Sequence, residues 1–157
     1  MADLAQEIGQ REKEELELQF DSFSNETALE IGNMIVERAR SEHKSIAVDI
    51  ERNGHQLFHH SMTGTAIDNN EWIKRKNRVV NRFGKSSLHV GQLLRQAGTT
   101  IDARSFVDPM QFSAHGGAFP ITIRNTGIIG TITVSGLPQE EDHRLATSVV
   151  RDYLAKK

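Results

Sequence analysis

The sequence contains no cysteine, which removes disulfides, thiolate metal sites and cysteine nucleophiles and fits a reducing compartment, so a cytoplasmic location is expected. Proline is limited to three positions, and no low-complexity tract or linker divides the chain. No apolar run approaches the roughly 18 residues a membrane helix needs. The opening MADLAQEIGQ also lacks the basic start and apolar core of a signal peptide. A soluble protein without a membrane partner is the expectation. The 157 residues amount to one domain, of a size that buries roughly 70% of its unfolded surface without staples.

Net charge is small, −2, but it is segregated. Residues 1–30 carry Asp3, Glu7, Glu12, Glu14, Glu15, Glu17, Asp21, Glu26 and Glu30 against Arg11 and Lys13. Residues 71–95 carry Lys74, Arg75, Lys76, Arg78, Arg82, Lys85 and Arg95 against Glu71. The two blocks can satisfy each other within one chain or between subunits, which makes residues 1–20 a candidate acidic oligomerisation helix. A nucleic-acid partner is not expected, because net charge is negative and no binding motif accompanies the basic stretch.

Leu4, Ile8, Leu16 and Phe20 recur at helical spacing, and Ser24 caps a second helix with Ala28, Ile31, Ile35 and Ala39 on one face. The period then drops to two. Ile46, Val48 and Ile50 lead to Asn53-Gly54 and HQLFHHSM, a type I′ hairpin signal. A two-residue loop sets Ile50 opposite Leu57, Val48 opposite His59 and Ala47 opposite His60, with His60 and Phe58 on the face away from Val48.

Asp68 and Glu71 form a capping-box pattern for a third helix with Trp72, Val79, Val80 and Phe83 as its stripe, ended by Gly84. Ser86 or Ser87 caps a fourth, stopped at Gly98. Residues 99–113 read mainly as loop with a short turn or strand. FPITIRNTGIIGTITVSG forms a second hairpin. Pro138 and the acids Glu140, Glu141 and Asp142 open a last helix, buried through Leu145, Ala146, Val149, Val150, Tyr153 and Leu154.

Three stretches carry a family resemblance: Asn70-Glu71-Trp72-Ile73-Lys74-Arg75-Lys76-Asn77 through Phe83 to Ser86-Ser87; His115-Gly116-Gly117-Ala118-Phe119-Pro120-Ile121; and Gly127-Ile128-Ile129-Gly130 through Val134-Ser135-Gly136 to Asp142-His143. In these the chain resembles the heme-degrading domain-containing branch of the HbpS-like/GlcG-like superfamily. The resemblance implies an α+β, profilin-like domain. Its antiparallel sheet would have about five strands flanked by helices, with the fifth placed in residues 104–114. It also implies a homo-oligomer and a heme cofactor.

Several side chains are candidates for such a site. His115 precedes two glycines. Gly116 and Gly117 either form a bulge into the next strand or, with His115 and Ser113, line a ligand pocket where His115 is an axial ligand or proton donor. Asp142-His143 is a second candidate, with His143 neutral beside a helix start. Arg75 with Ser86 and Ser87 is a candidate anion site, since a helix start offers free N–H groups.

Lys74, Arg78 and Arg82 form a stripe that is either solvated surface, an anion site or a subunit contact. His59 and His60 point to opposite faces of a strand and cannot share one metal. Ser135 lacks a nucleophile elbow. Two functions follow: an oligomeric protein binding a small anionic or planar ligand such as heme, or a non-catalytic assembly module.

Overall fold

Asn53 and Gly54 both adopt positive φ, 53° and 82°, and join β1 (Ala47–Arg52) to β2 (His55–Ser61) as the hairpin signal requires. The computed structural model describes residues 3–156. In chain order, α1 (Leu4–Glu17) and α2 (Asn25–Ser41) precede this hairpin. After it come α3 (Ile67–Phe83), α4 (Ser87–Ala97), a short α5 (Ile101–Ser105), β3 (Ala118–Ile123), β4 (Gly127–Ser135) and α6 (Gln139–Ala155). The strands form one antiparallel sheet in the order β2-β1-β4-β3.

The sheet has four strands rather than five. Residues 104–114, where a fifth was placed, form the end of α5, a left-handed Phe106 and a turn through Met110 and Gln111. The edge of β3 is met instead by the segment after α1. There the Phe20 N–H donates to the Thr122 carbonyl at 2.8 Å, and the Arg124 N–H donates to the Phe20 carbonyl at 2.9 Å, making a single parallel bridge. One bridge covers the edge without adding a strand.

The hairpin register also differs from the two-residue-loop expectation. Arg52 pairs with His55 and Glu51 with Gln56, but the next pair is Ile50 with Phe58, so Leu57 is the extra residue of a bulge. His59 therefore opposes Asp49 and His60 opposes Val48. Phe58 decides the register. It has to reach the apolar face, where its ring fills the space that a side chain on Gly32 would occupy, 2.4 Å from a Cβ built there.

Two faces of opposite character result. On one, Val48, Ile50, Ile132, Val134, Phe119 and Ile121 pack against Ala28, Ile31 and Ile35 of α2 and Ala146, Val149 and Val150 of α6. Ser24 caps α2 through a reciprocal bond with Thr27. The other face presents Asp49, Glu51, Thr131 and Thr133, since cross-strand partners share a face, and α3 covers it with Asn77 and Lys76.

The start of α3 is two residues earlier than Asp68 and Glu71 suggested: Ala66 is the cap, and the Asn69 side chain accepts its N–H. Asp68 instead accepts from the Trp72 indole at 3.2 Å. Leu16, counted in the apolar stripe of α1, is 72% exposed, while Ile8 is buried. Among the described residues no helix is long and apolar enough to cross a membrane.

Candidate functional site

His115 stands just before β3 with its ring exposed. Its Nδ1 lies 2.9 Å from the Ser113 hydroxyl, and its edge packs against Trp72 of α3 with ring centres 5.6 Å apart. The Arg75 guanidinium lies over the same indole, 4.8 Å from its centre. The Arg75 carbonyl accepts the Ser113 N–H at 3.2 Å. The α3 helix thus props the loop that carries the histidine. Partial burial, then the nearby Lys76 charge, lower the His115 pKa, which favours the neutral ring.

Beside this histidine is a cleft of about 250 Å³ lined by Trp72, Asn69, Ser135, Lys76, Asp142 and His115 among others. Its floor is an ion pair. Lys76, 4% exposed, places Nζ 3.2 Å from the Asp142 carboxylate and 3.1 Å from the Val134 carbonyl. Asp142 also accepts the Leu137 N–H at 2.9 Å. Burial opposes both charges: it lowers Lys76 and pushes Asp142 up to about 6, against the pull of the lysine. Lys76 was the residue least visible as part of a site. The signal available was its place with Ile73, Asn77 and Val80 on one helix face, a position that ordinarily holds an apolar side chain.

Gly116 and Gly117 serve the backbone here. The Gly116 N–H donates to the Gln139 side chain at 2.9 Å, and a Cβ there would lie 2.4 Å from the Gln139 carbonyl. Both glycines are buried in a turn that leads into β3, and the bulge of the β3–β4 pair falls instead at Ile121/Thr122.

Ser86 caps α4, but the anion at that helix start is the chain's own Glu15, which accepts the Ser86 N–H at 2.9 Å. Ser87 accepts the Ala118 N–H at 3.0 Å. Arg75 lies with Trp72 and His115, and the hydrogen-bonding groups of Ser86 and Ser87 are used within the chain.

His143 is 2% exposed and sits elsewhere, with Nε2 2.9 Å from Glu14 and its ring 6.0 Å from that of Phe119. His89 likewise meets Glu15 at 2.9 Å, and Arg151 meets Glu17 at 3.2 Å. Glu14, Glu15 and Glu17 of α1 are therefore spent within their own chain. The basic stripe is exposed as read, and Lys74 pairs with Glu71 at 3.0 Å. His59 contacts Asp49 and Ser61, at 3.2 and 3.1 Å. Among the described residues no group of three or more His, Cys, Asp or Glu side chains is arranged to hold a metal ion.

The polar face adds one titrating group. Glu51 and the almost fully buried Asp49 both contact the Asn77 amide, at 3.3 and 3.4 Å. Burial first, then Asp49, raise the Glu51 pKa from an ordinary 4.5 to about 7. The folded chain thus keeps this proton over a range where the unfolded chain has released it. Stability contributed here is intact below pH 4.5 and declines as pH rises towards 7. Solvent screening of the half-exposed carboxyl leaves a cost of ~1 kcal/mol at pH 8. Glu51→Gln is expected to remove that slope, raising stability by this amount at pH 8 and not at pH 4. Urea unfolding at the two pH values measures it, and equal gains at both would contradict the assignment.

A four-stranded sheet with one apolar and one polar face, helices on both, and an exposed histidine propped at the rim of a small cleft defines an α+β domain of a recognisable class. The family model described as "Haem degrading protein HbpS-like" matches residues 23–151, and the chain belongs to the HbpS-like family. It is 43% identical over 155 residues to a UPF0303 protein of Streptomyces coelicolor, covering 99% of this chain and 98% of that one. To a UPF0303 protein of Serratia proteamaculans it is 42% identical over 142 residues, covering 90% and 88%.

Among solved structures, the Ybr137w protein superposes with a TM-score of 0.88 at 32% identity, covering 95% of this chain and 88% of the other. The heme complex of PduOC superposes with a TM-score of 0.69 at 17% identity, covering 83% and 94%. At that identity the likeness to PduOC concerns the fold.

Proposed function

We propose that this protein binds a planar anionic ligand of the heme class across the rim formed by His115, Trp72 and Arg75. The observation that carries the reading is the His115 ring itself. It is exposed, fixed by Ser113 through Nδ1, braced by Trp72, and biased to the neutral form, as a metal-ligating imidazole needs to be.

The residues fit such a group at a surface rather than in an enclosed pocket. The cleft of about 250 Å³ falls below the roughly 300–1,000 Å³ of pockets that engulf a ligand. His115 would hold the iron and Arg75, which makes no ion pair among the described residues, the carboxylates. Bound heme would supply redox-active iron; His115 and Trp72 bind and orient the ring, and the Lys76–Asp142 floor fixes the helix that carries Trp72. Membership of the HbpS-like family and the heme-bound PduOC neighbour support this reading.

The alternative, a non-catalytic assembly module built on the acidic N-terminal helix, has weaker support, because Glu14, Glu15 and Glu17 already pair within the chain. Titration of the protein with hemin at micromolar concentration is expected to shift the Soret band, with His115→Ala weakening binding about tenfold or more. A band that does not move, or a His115→Ala titration identical to the parent, would refute the proposal.

A further inference from the structure

Between α1, α4 and α6 lies a cavity of about 290 Å³, distinct from the His115 cleft. Two side chains in its lining are almost wholly buried, Gln92 at 3% and His143 at 2% exposure, and each keeps one polar atom, Oε1 and Nδ1 respectively, without a partner. The carboxylate of Glu14 can only accept, so His143 donates to it through Nε2. That bond holds the ring in place and leaves Nδ1 open. Buried polar atoms are nearly always paired, so two orphans lining one cavity mark a place where a polar molecule completes the set.

The rim points to the kind of molecule. Arg95 of α4 and Arg144 of α6 line the cavity and make no ion pair among the described residues. Glu7 of α1 and Glu140 of α6 line it as well, also without one. Free cations and free anions around the same opening suit a zwitterion better than a simple anion, which the two glutamates would repel. The inner orphans, Gln92 Oε1 and the Nδ1 of a ring that donates through Nε2, are both acceptors and ask for a neutral group with two N–H donors. The NH2 of a primary amide meets that requirement.

We propose that this cavity binds a free amino acid carrying a side-chain amide, its carboxylate towards Arg95 and Arg144, its ammonium towards Glu7 and Glu140, and its amide against Gln92 and His143. The cavity shares no lining residue with the His115 cleft. The site is thus independent of the heme-class reading.

Calorimetric titration of the full chain with L-glutamine and L-asparagine, up to about 10 mM, tests this. At least one is expected to bind saturably at one molecule per chain. L-Methionine, which lacks the amide, and N-acetyl-L-glutamine, which lacks the ammonium, are each expected to bind about tenfold or more weakly. Arg144→Gln, at the exposed rim, should weaken binding about tenfold while leaving the hemin titration unchanged. Gln92→Met removes one inner acceptor, with circular dichroism reporting whether it folds. The proposal is overturned by no saturable heat from either amide, by L-methionine binding as tightly as L-glutamine, or by Arg144→Gln having no effect.

Discussion

Lys76→Met is expected to destabilise the fold by about 3–5 kcal/mol at pH 8, the usual cost of leaving one half of a buried ion pair without its partner. The methionine keeps most of the lysine stem, so packing loss is a minor part. The burden falls on Asp142, already pushed up to about 6 by burial with the lysine present. Without Lys76 its pKa rises further, and the group must either stay ionised unpaired or take up a proton.

The sign follows from that. An acid raised in the folded state costs nothing at low pH, where it is protonated in both states, and costs most above its folded pKa. The destabilisation should therefore be much smaller at pH 5 than at pH 8. Adding Asp142→Asn should recover a large part of the loss at pH 8, because the neutral amide needs no counter-charge while it can still accept the Leu137 N–H. Urea unfolding of the two single variants and the double variant makes a thermodynamic cycle. A loss of the same size at both pH values, with no rescue, would show that Lys76 matters for packing and not for charge.

Gly117→Ala carries the second large effect, about 2–5 kcal/mol of destabilisation. Two costs add. Gly117 has φ +143°, a backbone region that essentially only glycine occupies, and forcing a side chain there costs about 1–3 kcal/mol. A Cβ at this position would also lie 2.4 Å from the Val134 carbonyl and 2.7 Å from the Lys76 ammonium. The first atom belongs to the central β4 backbone and cannot retreat, so overpacking adds a further 1–3 kcal/mol or so. The matched control is Gly9→Ala in α1, where a Cβ meets nothing within 4 Å and helix propensity favours alanine by about 1 kcal/mol. Denaturation midpoints that move together in the two variants would remove the steric account.

The local signals in the chain were legible because their causes are local. Asn53-Gly54, Gly84, Gly98 and the Ser24 cap mark places where one or two residues have the right φ or the right side-chain acceptor, whatever surrounds them. The register of the first hairpin was not legible, since the turn sets only its first pairs. The bulge at Leu57 comes from Phe58 reaching for the space over Gly32, more than twenty residues away in sequence. The strand sought in residues 104–114 is absent for a similar reason: the edge of β3 is met by Phe20, from the other end of the chain.

At the site the division is the same. His115 and the two glycines could be singled out from the pattern around them, and the exposure of His115 is compatible with a ligand-binding role. The i, i+3 spacing of Trp72 and Arg75 on α3 was the available signal for their contact, whereas nothing in spacing directed Glu14, Glu15 and Glu17 to His143, His89 and Arg151.

By itself, the sequence determined the order of the four strands and the five longer helices, most helix ends and both hairpin turns, because period and capping act over a few residues. Only the tertiary structure decided where the charges went. Lys76 and Asp142 are 66 positions apart, yet they share one buried pocket floor. An ion pair acts across space, and the chain encodes that proximity only through the packing of the whole sheet against α3 and α6.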